Sequence, residues 1–230
     1  MTLLAVRHGQ ASFGSADYDQ LSGNGHAQAQ RLGAWLARHD MRFVTVVCGG
    51  MRRHRETCDG LAEAFALGGS RLPTARIDPD LNEFDHRAII TAFIDQQPDH
   101  PSIHATAGGN SGTPREVFAL LQAALRAWVA GTLDAHTETW AAFRQRTQRA
   151  FATLSEQAAF QEVLVISSGG VISQLAQQAL GAADERAIEL NLSLRNSALC
   201  EFHALPDGLR MGSWNALPHL ADARELWTYF

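Results

Sequence analysis

The chain has 230 residues, 46% of them hydrophobic and 19% charged, with a formal net charge of −5. That make-up suits a globular chain with a sizeable core and excludes a disordered or fibrous one. The acidic balance supplies no global basic field for nucleic acid or an anionic membrane. Cys48, Cys58 and Cys200 form an odd set without metal-ligand spacing, which reads as buried free thiols in a reducing compartment. The first apolar run has no basic segment or long hydrophobic stretch around it. The expectation is therefore a cytoplasmic protein without signal peptide or transmembrane helix.

Helix and strand signals alternate, predicting an α/β fold with a mostly parallel central sheet. Leu3-Leu4-Ala5-Val6 is a buried strand that ends at Arg7-His8-Gly9, where Gly9 is expected to allow a sharp turn and clearance for a ligand. A polar stretch from Gln10 to Asn24 precedes a helix with Ala29, Leu32, Gly33, Trp35 and Leu36 on one side. Phe43 to Cys48 is a second strand by its β-branched content, broken by Gly49-Gly50 before a helix from about Arg53 to Leu67.

The segment 86–136 differs in texture. Pro98, Pro101 and the run Ala107 to Gly112 mark a flexible connection. Thr113, Pro114 and Glu116 then start a helix as N-cap, first helical residue and capping-box partner. Val117, Leu120, Leu121, Ala124, Leu125 and Trp128 form its apolar face, and Gly131 ends it. This segment is expected to be a helical cap inserted into a single domain spanning 1–230. A further helix carries Trp140, Phe143, Thr147, Phe151 and Leu154. Glu162 to Ser167 is the third strong strand, and Gly169-Gly170 opens a helix that stops before Gly181. Ser197 to Phe202 and Leu209 to Trp214 read as strands joined by a Pro206-Asp207-Gly208 turn.

Three strand-to-helix junctions resemble one another: Arg7-His8-Gly9, Arg52-Arg53 and Ser168-Gly169-Gly170. In a parallel sheet all three open onto one edge, where such sheets bind ligands. A Gly-Gly helix start presents amides and a dipole suited to an anion. Two arginines, a histidine and a helix N-terminus at one point describe a site for a phosphoryl group.

With those residues placed, the chain resembles the histidine phosphatase superfamily, the phosphoglycerate-mutase-like proteins. Leu4 to Ala11 is similar to the family's opening motif, and Leu21 to Ala29 to its following LTxxGxxQA signature. Gly49 to Thr57 is similar to SPLxRAxxT, with Arg53 at the arginine position. Asp80-Leu81-Asn82-Glu83-Phe84 resembles the segment that carries the family's acid. The resemblance implies a three-layer α/β/α sandwich and a phosphomonoester hydrolase acting through a phosphohistidine on His8. It implies Arg7 and Arg53 on the phosphate and Glu83 as proton donor, with no metal and no cofactor. Gln10 and His86 are further phosphate-binding candidates, alongside Ser168 and Gly169. The partner implied is a phosphorylated small molecule, with neither nucleic acid nor membrane; no motif speaks to oligomeric state.

One position departs from the pattern. Ser167-Ser168-Gly169-Gly170 stands where the resemblance implies Ser-His-Gly-Gly, so Ser168 replaces a second histidine. Losing one preorganised donor costs about 10²–10³ in rate, and His86, then His54, are the candidates to replace it. Many relatives also place an asparagine near Gly14. Three other readings follow: a non-catalytic phospholigand-binding protein with a degraded site, a mutase, and a serine hydrolase built on Ser168. The last lacks the glycine of a nucleophile elbow, Ile166 standing in its place.

Overall fold

The computed structural model describes residues 1–12, 18–106, 113–134, 137–206 and 208–229. The strands are β1 (Thr2–Arg7), β2 (Thr45–Cys48), β3 (Arg76–Ile77), β4 (Val163–Ser167), β5 (Leu199–Leu205) and β6 (Gly208–Ala216). The helices are α1 (Gly23–Arg38), α2 (Arg52–Leu67), α3 (His86–Gln96), α4 (Pro101–Thr106), α5 (Pro114–Val129), α6 (Trp140–Ala158), α7 (Gly169–Ala179) and α8 (Glu185–Ser193). The strands form one sheet in the order β3-β2-β4-β1-β5-β6. The first four run parallel, and β5 and β6 return antiparallel.

Strand alternation builds the layers. Leu3, Ala5, Val47, Val163 and Val165 face a core shared with α5, α6 and α7. Leu4, Val6, Val46, Leu164 and Ile166 face α1 and α2 on the other side. Helices on both faces of a largely parallel sheet make the expected α/β/α sandwich. Gly33 lets α1 lie close on α2, because a Cβ there would collide with the Leu61 carbonyl.

Register places the three junctions together. Arg7 pairs with Ser167 and Cys48 with Ile166, so β1, β2 and β4 end at the same level. The N-termini of α2 and α7 follow directly from two of those ends.

Several boundaries differ from the sequence expectation. β2 starts at Thr45, where the ladder with β4 begins; Val44, whose amide still donates to the Glu162 carbonyl at 3.0 Å, is 62% exposed while Phe43 turns into the core. The α5 capping box forms as read, with Thr113 N donating to Glu116 Oε2 at 2.6 Å. Gly131 follows α5 with φ +68°. Val117, in the first turn of α5, is 43% exposed, so the helix packs its stripe only from Leu120 onward. β3 has two residues, and α8 (ERAIELNLS) mixes polar and apolar positions, so neither has a periodic signal of useful length. The run 107–112, Gly14, His136 and Asp207 lie outside the described residues.

Candidate active site

His8 follows directly on β1 and is 5% exposed. Its Nδ1 lies 2.6 Å from the Gly9 carbonyl oxygen. A carbonyl only accepts, so this contact assigns the proton to Nδ1 and leaves a lone pair on Nε2. Nε2 accepts from Arg53 Nε at 3.2 Å. Burial, then the guanidinium groups of Arg53 and Arg7 and the nearby His54, push the His8 pKa well below 6.5, against the Gly9 carbonyl. The ring is neutral and held in one tautomer, with the Nε2 lone pair turned to Arg53.

Gly9 itself serves a different purpose from the one expected. A Cβ there would stand 2.5 Å from the Gly25 carbonyl oxygen, so the missing side chain makes room for the start of α1 and not for a ligand. The Gly9 amide donates to Thr57 Oγ1 at 3.0 Å, which ties the turn to α2.

Arg53 projects from the first turn of α2 and is 4% exposed. Its Nη1 pairs with Asp19 at 2.6 Å, and its Nη2 donates to Ser168 Oγ at 3.4 Å. Asp19 also accepts from the Arg52 amide at 2.7 Å, the favourable place for a carboxylate at a helix N-terminus. Arg7 is anchored by its two terminal nitrogens, to the carbonyl of Leu194 and to that of Tyr229 at 2.8 Å. Its buried Nε has no hydrogen-bond partner among the described residues. Burial lowers its pKa to about 10, so it stays charged at neutral pH.

Glu83 reaches across to α7. Its Oε2 accepts from the Gly170 amide at 2.9 Å and its Oε1 from the Phe84 amide at 3.2 Å. Burial raises its pKa above the usual carboxylate range, although the Gly170 amide, Arg53, the Phe84 amide and Arg7 all pull it back. The neighbouring acids are spoken for. Asp80 pairs with Arg149 at 3.1 Å, and Asp85 caps α3 through the amides of Arg87 and Ala88.

Arg7, His8, Arg53 and Glu83 together line a cavity of about 90 Å³. The other walls are Tyr18, Phe84, His86, Leu121, Leu125, Asn191, Leu192 and Tyr229. A roomier groove of about 390 Å³ elsewhere, with Gln178 and Arg210 among its walls, contains neither a histidine nor a carboxylate. The family model of the histidine phosphatase superfamily (branch 1) matches residues 3–217. The chain belongs to the histidine phosphatase superfamily.

Solved structures of similar fold include phosphoglycerate mutase from Bacillus anthracis, at 20% identity and TM-score 0.66, covering 96% of this chain and 95% of that one. Alpha-ribazole phosphatase from Shigella flexneri matches at 22% identity and TM-score 0.62, with 94% and 96% covered. A phosphoserine phosphatase mutant from Entamoeba histolytica in complex with phosphoserine matches at 15% and 0.63, with 95% and 98% covered. No curated protein sequence matches this chain.

Within this histidine phosphatase fold, the remaining candidates divide. His86 begins α3 and lines the cavity, its ring 5.7 Å from that of Tyr18. Ser168 and Gly169 are buried at the start of α7, Ser168 against Arg53 and Gly169 beside Arg7 Nε and Asn191. Gln10 is not among the cavity walls. Its Oε1 accepts from Ser22 Oγ at 3.0 Å, so the N-terminus of α1 has captured its side chain. His54, ranked behind His86 from sequence, is the histidine that meets Ser168, at 2.6 Å from Nε2 to Oγ. Sequence reasoning missed Asp19, Asn191 and Tyr229. Asp19 had a signal in the acidic character of its loop; the other two had none, being brought in by α8 and the distant C-terminal segment.

Among the described residues, four histidines are held below their ordinary pKa, chiefly by burial: His8, His54, His86 and His219, the last at about 4. A folded value below the unfolded one means that the unfolded chain takes up protons first as pH falls. Their contribution to stability is thus fully present above pH 6.5, the ordinary histidine value, and shrinks below it, for His219 down to about pH 4. Glu83, raised, works in the opposite sense, but as one group against four. The midpoint of urea unfolding is expected to fall between pH 7.5 and pH 5. A midpoint that rises over that interval contradicts the neutral-histidine assignment.

Proposed function

We propose that this chain is a phosphomonoester hydrolase that works through a phosphohistidine on His8. The observation that carries the reading is the His8 ring itself: neutral, fixed with its lone pair on Nε2, and facing two guanidinium groups and a carboxyl across one small cavity. Arg7 offers its unpartnered Nε, and Arg53 its forked donors, to the non-bridging oxygens as their charge grows. Nε2 attacks phosphorus while the ester P–O bond breaks. Glu83, whose raised pKa favours the protonated form, gives its proton to the leaving oxygen. The phosphorylated ring keeps its Nδ1 proton on the Gly9 carbonyl. Glu83, now a carboxylate, takes a proton from water as that water attacks phosphorus and the P–N bond breaks. His8 then returns neutral.

Hydrolysis ranks above transfer between sites on one substrate. Arg7 and Arg53 both face His8, and the wall beyond them is mainly Tyr18, Phe84, Leu121, Leu125 and Leu192. Among the described walls that surface, with His86 and Asn191 beside it, suits a largely uncharged leaving group, and the Arg87 guanidinium lies over the Tyr18 ring at 4.8 Å and not among the walls. We assign the segment 86–136 the role of a cap, since Leu121 and Leu125 of α5 supply part of this wall. Relatives of the same fold described as phosphatases agree with this reading. A serine hydrolase draws some support from the His54–Ser168 contact. However, Ser168 is fully buried, does not line the cavity, and His54 Nδ1 has no carboxylate to orient it.

Brief exposure of the protein to a phosphomonoester labelled in its phosphate is the test. Label that is lost in acid and retained in alkali is the expected result. Binding of orthophosphate without any such label overturns the enzyme reading in favour of a phospholigand-binding protein.

A further inference from the structure

We propose that Gln28 and Thr228 are positioning residues that keep Arg7 and His8 in register, by binding the segment 226–229 to the turn that carries His8. The proposal rests on the reading of the site as one that binds a phosphoryl group at His8. One of the two anchors of Arg7 comes from far along the chain: its Nη2 donates to the Tyr229 carbonyl at 2.8 Å. The direction of that carbonyl therefore helps to set the direction of a guanidinium on the cavity wall. Tyr229 is itself 40% exposed, with its ring under the Arg195 guanidinium at 5.3 Å, so its carbonyl needs a hold from within.

Gln28 begins that hold. It lies on the buried side of α1 with Ala29 and Leu32, and is 0% exposed. A buried amide is costly unless its groups are bonded, and an apolar residue would serve the packing there better. Both of its hydrogens are committed to the segment. Nε2 donates to the Leu226 carbonyl at 2.7 Å and to Thr228 Oγ1 at 3.0 Å, while Oε1 accepts from the Gln10 amide at 2.8 Å. One side chain thus spans from the turn two residues beyond His8 to the segment that holds Arg7.

Thr228 carries the connection back to His8. Its hydroxyl accepts from Gln28 and donates to Asn196 Oδ1 at 2.9 Å, and its carbonyl accepts from the Asn196 amide at 2.9 Å. Asn196, 1% exposed, directs its Nδ2 at the His8 carbonyl 3.5 Å away, and the Ser197 amide donates to the same carbonyl at 3.1 Å. The side-chain bonds run in one direction, from Gln28 through Thr228 and Asn196 to His8, so each polarises the next. The circuit is closed through the backbone from His8 to Gln10. Tyr229, the residue after Thr228, lies at its edge and holds Arg7. A guanidinium binds phosphate best in the plane that its fork dictates. With one terminal nitrogen on the Leu194 carbonyl and the other on that of Tyr229, this plane is set before an anion arrives.

The test compares full-length wild type, Thr228→Val, Thr228→Ser and Gln28→Leu by orthovanadate calorimetry, urea unfolding and nitrogen NMR of the guanidinium groups. Arg7→Lys assigns the Arg7 signals. Val keeps the shape of Thr without its hydroxyl, and Ser keeps the hydroxyl. Anchoring of both terminal nitrogens slows rotation about their bonds to Cζ, so wild-type Arg7 is expected to give separate Nη signals. Thr228→Val and Gln28→Leu are expected to weaken vanadate binding about tenfold and to merge those signals, with Thr228→Ser close to wild type in both. If Gln28→Leu fails to fold, the two Thr228 variants decide. A lower urea midpoint in Thr228→Val, with affinity and Arg7 signals unchanged, marks a merely structural role and overturns the proposal. A loss of affinity that leaves the Arg7 signals unmoved overturns it as well. A wild type that binds vanadate but never carries label on His8 sinks the hydrolase reading and leaves these contrasts intact. A wild type that binds no vanadate sinks both.

Discussion

His8→Ala is expected to lower turnover of any phosphomonoester by on the order of 10⁴ or more, while orthophosphate still binds within about tenfold of the wild-type affinity. The two effects separate because the anion is held by other groups. Arg7 is fixed by the Leu194 and Tyr229 carbonyls and Arg53 by Asp19, and none of these supports passes through His8. Removal of the ring deprives Arg53 of the acceptor for its Nε, which leaves that donor free for a phosphate oxygen. In the proposed reaction water cannot make good the loss of the nucleophile, since no other described side chain of the cavity holds a lone pair fixed as that of Nε2 is. Single-turnover quench measurements of label, beside calorimetry with orthophosphate, check both halves. Residual turnover within about tenfold of wild type would mean that phosphorus is attacked by something other than His8.

The arrangement that makes His8 so exposed to mutation was readable from the chain in part. Three short apolar runs, each ending in Arg-His-Gly, Gly-Gly or Ser-Ser-Gly-Gly, predict three strands that open on one edge, and the register of Arg7 with Ser167 and Cys48 with Ile166 delivers that edge. Strand ends are local features, so local sequence carries them. Side-chain direction is not local. Arg53 and His54 are adjacent on α2, and a helix turns roughly 100° per residue, so one reaches His8 while the other reaches Ser168. Their sequence neighbourhood alone does not say which goes where. His86 is the first candidate to supply the donor missing at 168 because it follows Glu83 closely in the chain, and α3, which starts at His86, directs it to the cavity wall beside Tyr18. Gln10 stands two residues from His8, and its loss to Ser22 depends on where α1 begins. The support of Arg7 by the carbonyl of Tyr229 spans 222 residues, with no pattern in the chain to announce it.

Glu83→Gln is expected to separate the two halves of the reaction. Glu83 carries two proposed duties, proton donor to the leaving oxygen and later proton acceptor from water, and an amide performs neither. The first duty matters in proportion to the basicity of the leaving group. For an alkyl phosphate, phosphorylation of His8 should slow by about 10²–10⁴. For a nitrophenyl phosphate, whose phenolate departs without help, it should slow by about tenfold or less. The second duty is independent of the ester, so hydrolysis of the phosphohistidine slows in both cases. With the nitrophenyl ester the variant should therefore give a burst of phenolate stoichiometric with the protein, followed by slow turnover, and acid-labile phosphate should accumulate on His8. The substitution has a local cost that must be distinguished from the chemical one. Both carboxylate oxygens accept from backbone amides, of Gly170 and Phe84, and the Gln side chain can satisfy only one of them. Some movement of the side chain is thus built into the variant, but displacement would slow both esters alike. A loss of phosphorylation rate that depends on the leaving group identifies proton donation. An equal loss for both esters, without accumulation of phosphohistidine, removes Glu83 from the proton path and leaves it as a support for the start of α7.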